Sequence, residues 1–185
     1  RTLLKNGVAI DRVIQSLIMD KNINADSLLV GDRNAILIAA RTSGYGNEYN
    51  TSVACPSCGA TQEYSFDLNE VAIHEGKINS SLGLVDNHDG TFSTTLPKTQ
   101  VQVSFRLLNG ADEKRMVTLA ESARKKKRPE QAITNQIKTM VIAVNGDSSA
   151  QAINYLIENI PSLDARHLRT CYKEVTPNVD LSQYF

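Results

Sequence analysis

The chain has no tryptophan, few aromatic side chains of any kind, and no apolar run long enough to cross a bilayer. With aromatics at 5% of 185 residues, the core has to be built from aliphatic side chains. The missing apolar run excludes a membrane-spanning helix, and the first residues show no signal-peptide pattern. Net charge is missing too. Twenty basic residues balance twenty acidic ones, so no overall field draws the chain to nucleic acid or to an anionic membrane. The three cysteines are an odd number, and two of them share one Cys-x-x-Cys. A secreted disulfide framework is therefore disfavoured and a reducing compartment fits better. Signatures of catalysis are absent as well. The carboxylates are scattered, no Ser or Cys nucleophile sits in a recognisable motif, and Gly44-x-Gly46 is too short for a nucleotide fingerprint. The chain reads as non-enzymatic. Arg1 is not an initiator Met and opens in mid-pattern, which suggests a trimmed N-terminus.

What is present is ordinary for a globular protein able to bury a core: 41% hydrophobic and 22% charged residues. Val8, Val13, Ile14, Leu17 and Ile18 recur at helical spacing and predict a helix over about 9–19. A second apolar-periodic stretch starts at Leu28 and Leu29. Gly31 interrupts it, and Asp32 is placed to cap the helix carrying Ile36 to Ala40. Tyr49, Thr51 and Val53 alternate as a strand, and Tyr64, Phe66 and Leu68 alternate after the Cys pair, so Cys55 and Cys58 fall at a hairpin tip. Residues 69–90 read as an irregular connection ending in the turn signal Asn87-His88-Asp89-Gly90. Thr91–Leu96 and then Val101, Val103, Phe105 and Leu107 predict two more strands.

From Asn109 onward the pattern is helical. Asn109 with Asp112 caps a helix over about 111–127, whose basic last turn suits a C-terminus. Further helices are expected over about 130–143, 148–159 and from Pro161-Ser162 to Val175, before a strand that starts at Val179. The fold class is α+β: a zinc-ribbon-like β-hairpin and short antiparallel strands with a C-terminal bundle of about four helices. Residues 1–108 form the first unit, 109–177 the bundle, and 178–185 a strand returning to the ribbon.

Cys55-Pro56-Ser57-Cys58-Gly59 is half of a zinc knuckle. Two thiolates two residues apart can face one ion from a tight turn, at about 2.3 Å each. Structural zinc takes about four ligands, so two more are needed. His167 and Cys171, four apart on the last predicted helix, would complete a Cys₃His set. Alternatively they are an exposed histidine beside a buried thiol. His74 and His88 read as solvated loop residues. The basic run Arg124–Arg128 offers phosphate contacts, but without neighbouring aromatics and at zero net charge it reads first as a solvated helix end.

Several stretches together resemble one family, the T-even-type bacteriophage baseplate protein, a hub subunit or hub assembly chaperone. They are Gly7-Val8-Ala9-Ile10-Asp11-Arg12-Val13-Ile14, Leu28-Leu29-Val30-Gly31-Asp32-Arg33-Asn34-Ala35-Ile36-Leu37, Arg41-Thr42-Ser43-Gly44-Tyr45-Gly46, the Cys55–Gly59 turn, and Val175-Thr176-Pro177-Asn178-Val179-Asp180-Leu181. The Leu-Val-Gly-Asp-Arg-Asn-Ala stretch is the most specific of these. Two departures bear on chemistry. The family pattern has an additional N-terminal region, and it places a second Cys-x-x-Cys just after the strand that starts at Val179, past Phe185. The resemblance implies a Cys₄ zinc site made by Cys55, Cys58 and that second pair. It also implies partners among other baseplate and tail proteins, in the host cytoplasm during assembly and in the virion baseplate. The Leu28–Ile38 region with Asp32 and Arg33, and the Gly44-Tyr45-Gly46 turn, are the first candidates for a contact face. The competing reading makes Asp32 a cap and pairs Arg33 with a carboxylate. A zinc-ribbon nucleic-acid binder using 124–128 is the alternative function.

Overall fold

The computed structural model describes residues 8–127, 129 and 131–181. Among them are six α-helices and three small antiparallel sheets. Helix α1 (Val8–Leu17) is followed by a short 3₁₀ turn at Ala25–Ser27 and by α2 (Val30–Tyr45). Gly31 does not interrupt α2. It is the second residue of the helix, and Asp32 lies in the first turn instead of capping it; the cap position is Leu29, with no side-chain bond. The reason for Gly31 is tertiary. A Cβ there would lie 1.9 Å from the carbonyl oxygen of Pro177, so only glycine lets the helix start meet the distant C-terminal strand. Asn34 Nδ2 donates to Asn178 Oδ1 at 3.1 Å in the same contact. Two of the stretches singled out in the sequence therefore touch.

Strands β1 (Glu48–Ala54) and β2 (Thr61–Asp67) form the expected hairpin, in register from Glu48↔Asp67 to Ala54↔Thr61. Residues 69–90, expected to be irregular, contain β3 (Ala72–His74), a 3₁₀ turn at Ser80–Leu82 and the two-residue β4 (Val85–Asp86). None of these is long enough to produce periodicity. β3 pairs with the last described strand, β8 (Asn178–Asp180), antiparallel.

Strands β5 (Thr91–Thr95), β6 (Gln102–Arg106) and β7 (Val141–Val144) join β4 in a four-stranded sheet of order β4-β5-β6-β7. Alternation puts Phe92, Thr94, Val103 and Phe105 on one face, over the core, and Ser93 and Ser104 on the other, hydrogen-bonded to each other at 3.2 Å. Helices α3 (Gly110–Lys125), α4 (Ala132–Met140), α5 (Ala150–Asn159) and α6 (Ser162–Val175) follow. Four were expected, but they do not make a bundle. The helix expected over 130–143 stops at Met140, and Val141–Val144 becomes a strand because four apolar residues in a row suit an edge beside β6. The core is thus sheet against helices: Leu96, Val103 and Phe105 pack with Ile137, Met140, Leu156 and Leu168. Asn109 and Asp112 form the capping box predicted for α3.

Buried Asp164, in the first turn of α6, receives the N–H groups of Lys98 and Thr99 and the Thr99 hydroxyl at 2.8–3.0 Å. It locks the β5–β6 turn onto the helix start. Gly31→Ala should cost about 1–3 kcal/mol in urea denaturation, because backbone at Pro177 has to give way. Gly44→Ala, in the same helix but with nothing within 4 Å of the added carbon, should instead gain about 0.5–1 kcal/mol.

Candidate functional site

The hairpin tip carries Cys55 and Cys58, both exposed. Cys55 N–H donates to Ala60 O and Gly59 N–H to Cys55 O, each at 2.9 Å, closing a tight turn. Gly59 takes φ +72°, a conformation that a side chain disfavours. The backbone N–H groups of Cys58 and Ser57, and the Cys58 thiol, all reach the Cys55 sulfur and hold its thiol below the ordinary range. That chemistry suits two soft ligands facing one ion. It supplies two ligands, not four. Among the described residues no cluster of three or more His, Cys, Asp or Glu side chains is placed around one point. The described hairpin is therefore a plain two-stranded ribbon, and the zinc ribbon expected from the sequence is not formed by these residues alone.

The composite set with His167 and Cys171 is not assembled. Cys171 is fully buried under the sheet, 3.7 Å from Thr94 Oγ1 and 3.4 Å from His167 Nε2, while Cys55 and Cys58 are exposed at the hairpin tip. Burial pushes the Cys171 thiol up, despite the hydrogen bond with Thr94, which marks it as a packing group. His74 is not a solvated loop residue either. It lies in β3, and its Nε2 donates to the carbonyl of Glu174 at 2.8 Å. His88 is exposed in the β4–β5 turn, as expected. Of the basic run, Arg124 to Lys127 are exposed at the end of α3, and Arg128 lies outside the described residues.

The second candidate region resolves into scaffold and surface. Arg33 is 5% exposed and joins four segments. Its guanidinium donates to Asp11 Oδ1 of α1 at 2.7 Å and to the Ala25 carbonyl at 2.9 Å, with Asp26 at 3.9 Å and Glu113 of α3 at 3.6 Å. Lys114 closes the ring by reaching Asp11 at 2.9 Å and Asp26 at 2.7 Å. Gly110 makes room: a Cβ there would stand 2.6 Å from Arg33 Nη1. Arg33 is thus paired internally and does not anchor a partner. Leu28 and Val30 are tied by backbone bonds to Gly110 and Leu108. The Gly44–Gly46 turn remains surface. Tyr45 is 84% exposed with Arg41 5.3 Å above its ring, and Arg41 also donates to the carbonyls of Gly46 and Glu48.

This arrangement defines an α+β protein with a projecting two-stranded ribbon. Residues 5–91 match the family model for the T4 bacteriophage base plate protein. Over α1, α2, the hairpin and the segment up to β5, the chain is similar to the T4-type phage baseplate proteins. No curated protein and no solved structure matches it. No helix among the described residues is long and apolar enough to cross a membrane.

Burial opposes ionisation at Asp11, Asp112 and Asp164. The donors around them outweigh it: Arg33 and Lys114 for Asp11, Arg106, Asn109 and Arg115 for Asp112, Lys98 and Thr99 for Asp164. All three carboxyls stay below the ordinary aspartate range. Each therefore stabilises the fold at neutral pH, and that contribution is lost as pH falls through and below about 4. Stability measured by denaturant titration should be flat near neutrality and fall steeply below that point. Asp112→Asn, which breaks the paired bonds from Arg106 at 2.6 and 2.9 Å, should cost about 1.5–3 kcal/mol at pH 7 and flatten the acid limb.

Proposed function

We propose that this protein is a non-enzymatic baseplate component, either a hub subunit or a chaperone that delivers hub subunits, acting through contacts with other baseplate and tail proteins. The observation that carries the reading is the family match over residues 5–91, which includes every element of the hairpin and its support. The exposed ribbon tip and exposed Tyr45 agree with a protein that works by being gripped. Its setting is the host cytoplasm during assembly, with the virion baseplate as destination.

Within that reading, Cys55 and Cys58 hold a structural zinc together with a second cysteine pair past Phe185. β8 supports this by its direction. Running antiparallel to β3, it brings Asp180 beside Ala72, on the side from which the hairpin rises. Zinc bound there would supply a cross-link between sequence-distant strands and no reaction. The Cys55 turn would hold the metal and orient its own sulfurs.

Two measurements test the proposal. Metal analysis of a chain extended past Phe185 should find about one zinc per molecule, lost in Cys55→Ser/Cys58→Ser with a lower unfolding midpoint; metal-free protein of unchanged stability would remove the clamp. Deleting the gene from its phage should leave tails without complete baseplates. Mass spectrometry of complemented virions then separates the roles, since a hub subunit is retained and a chaperone is not. Normal contractile particles from the deletion would overturn the assignment itself.

A further inference from the structure

The β1–β2 hairpin has two outer edges, and among the described residues neither is paired with another strand. Asn47 O accepts from Leu68 N–H at 2.8 Å at one end of the ladder, and Cys55 N–H donates to Ala60 O at 2.9 Å at the other. Hydrogen-bonded pairs of an antiparallel ladder recur at every second residue. Tyr49, Thr51 and Val53 therefore bond inward, to their opposites Phe66, Tyr64 and Gln62. The N–H and C=O groups of Glu48, Asn50, Ser52 and Ala54 point out of the other edge of β1. The Glu48 carbonyl agrees, since Arg41 Nη2 reaches it from outside the hairpin at 3.2 Å. On β2 the outward groups belong to Thr61, Glu63, Ser65 and Asp67 by the same count.

Open edges are ordinarily guarded by charge, proline or a bulge. β2 is guarded against a second copy of itself. Paired antiparallel about Tyr64, it would set Glu63 diagonal to both Glu63 and Asp67 of the other copy, and like charges so placed repel. β1 has no such guard: from Tyr49 to Ala54 it contains no charge, no proline and no bulge. Its sequence is also self-complementary. Antiparallel pairing about Thr51 sets Tyr49 against Val53, Asn50 against Ser52 and Thr51 against itself. The one carboxylate of the strand, Glu48, then stands opposite Ala54. Aromatic–β-branched and Thr–Thr pairs stabilise a ladder. This alignment also makes Asn50 and Ser52 a hydrogen-bonded pair, as their outward backbone groups require. Phe66 and Tyr49, stacked at 5.2 Å, would continue as a row onto Val53 of the second copy.

We infer that the protein forms a two-fold dimer through β1, giving a continuous sheet of order β2-β1-β1-β2 with Thr51 on the axis. Each contact is made twice, so the interface is isologous and closes at two copies. An isolated two-stranded ribbon is marginal in water and independent stability takes three or more strands; the dimer supplies four. A ladder this short covers less than a standard interface, so the dimer is weak and concentration-dependent. It ends at Ala54, ahead of the Cys55–Gly59 turn, and depends neither on zinc there nor on the baseplate assignment.

Sedimentation equilibrium on the chain at up to about 1 mM should show a monomer–dimer equilibrium. Ser52→Pro removes an outward N–H that β2 does not use, and should weaken the dimer by about tenfold or more. Ser65→Pro, the equivalent change on the outer edge of β2, should leave it intact; circular dichroism checks that both fold. In a Cys55→Ser/Cys58→Ser background, Thr51→Cys should cross-link under mild oxidation, because opposed residues of a non-hydrogen-bonded pair stand about 4.5 Å apart. Asn50→Cys should cross-link only when mixed with Ser52→Cys. A wild type that stays monomeric over the whole range would overturn the inference. So would a dimer that survives Ser52→Pro or is lost in Ser65→Pro, a Thr51→Cys chain that does not cross-link, or an Asn50→Cys chain that cross-links alone. Dimerisation abolished in a chain extended past Phe185 would give the edge to a strand of the same chain, and would overturn it too.

Discussion

One guanidinium ties four segments together: Arg33 of α2 joins α1, the 3₁₀ turn and the start of α3. Arg33 is removed from water, where a charge is tolerable only when paired, and its Nε has no hydrogen-bond partner, so the bonding falls to the other guanidinium donors. Asp11 and the Ala25 carbonyl take up two of them, while Asp26 and Glu113 balance the charge from slightly farther away. The consequence is that α1, the 3₁₀ turn and the start of α3 cannot shift independently. Lysine would replace it poorly, since the guanidinium offers separate nitrogens to Asp11 and to the Ala25 carbonyl where an ammonium offers a single point. Nearby glycines follow from the same demand for closeness. Gly110 leaves space for the guanidinium, and Gly31 lets the helix that carries it meet Pro177.

Around this fixed centre the protein separates rigidity from reach. The sheet and the helices α4–α6 bury the aliphatic core, with Asp164 and Asp112 pinning a turn and a helix start by charge-assisted bonds. The hairpin stands outside that core and contributes little to it. A projecting ribbon on a rigid base suits a protein whose task is to be held by neighbours: the base fixes the direction of the arm and leaves its surface uncommitted.

Much of the scaffold could be read from the residues. Strict alternation marked β6, the turn residues marked the hairpin and the β4–β5 turn, and Asn109 with Asp112 marked the start of α3 because capping is a local interaction. What could not be read was decided at a distance. β3 and β4 are two or three residues long and exist only through partners far along the chain. Val141–Val144 has a composition that serves either a helix end or a strand, and β6 decides for the strand. Gly31 looked like a break because its reason, Pro177, lies far away in the sequence. At the candidate site the Cys55–Cys58 turn was legible from spacing alone. Arg33 was visible as a candidate in two roles, and only the positions of Asp11 and Glu113 show which one it fills.

The meeting of Gly31 with Pro177 also orders events during synthesis. Helix α2 can coil and the hairpin can close as soon as they leave the ribosome, since both rest on near neighbours. The seat for the first turn of α2 does not exist until Pro177 and Asn178 have been added. The nascent chain therefore spends most of its translation with the front of α2 uncovered, and the molecule is locked by a late, long-range closure of the kind that slows folding and rewards a helper protein.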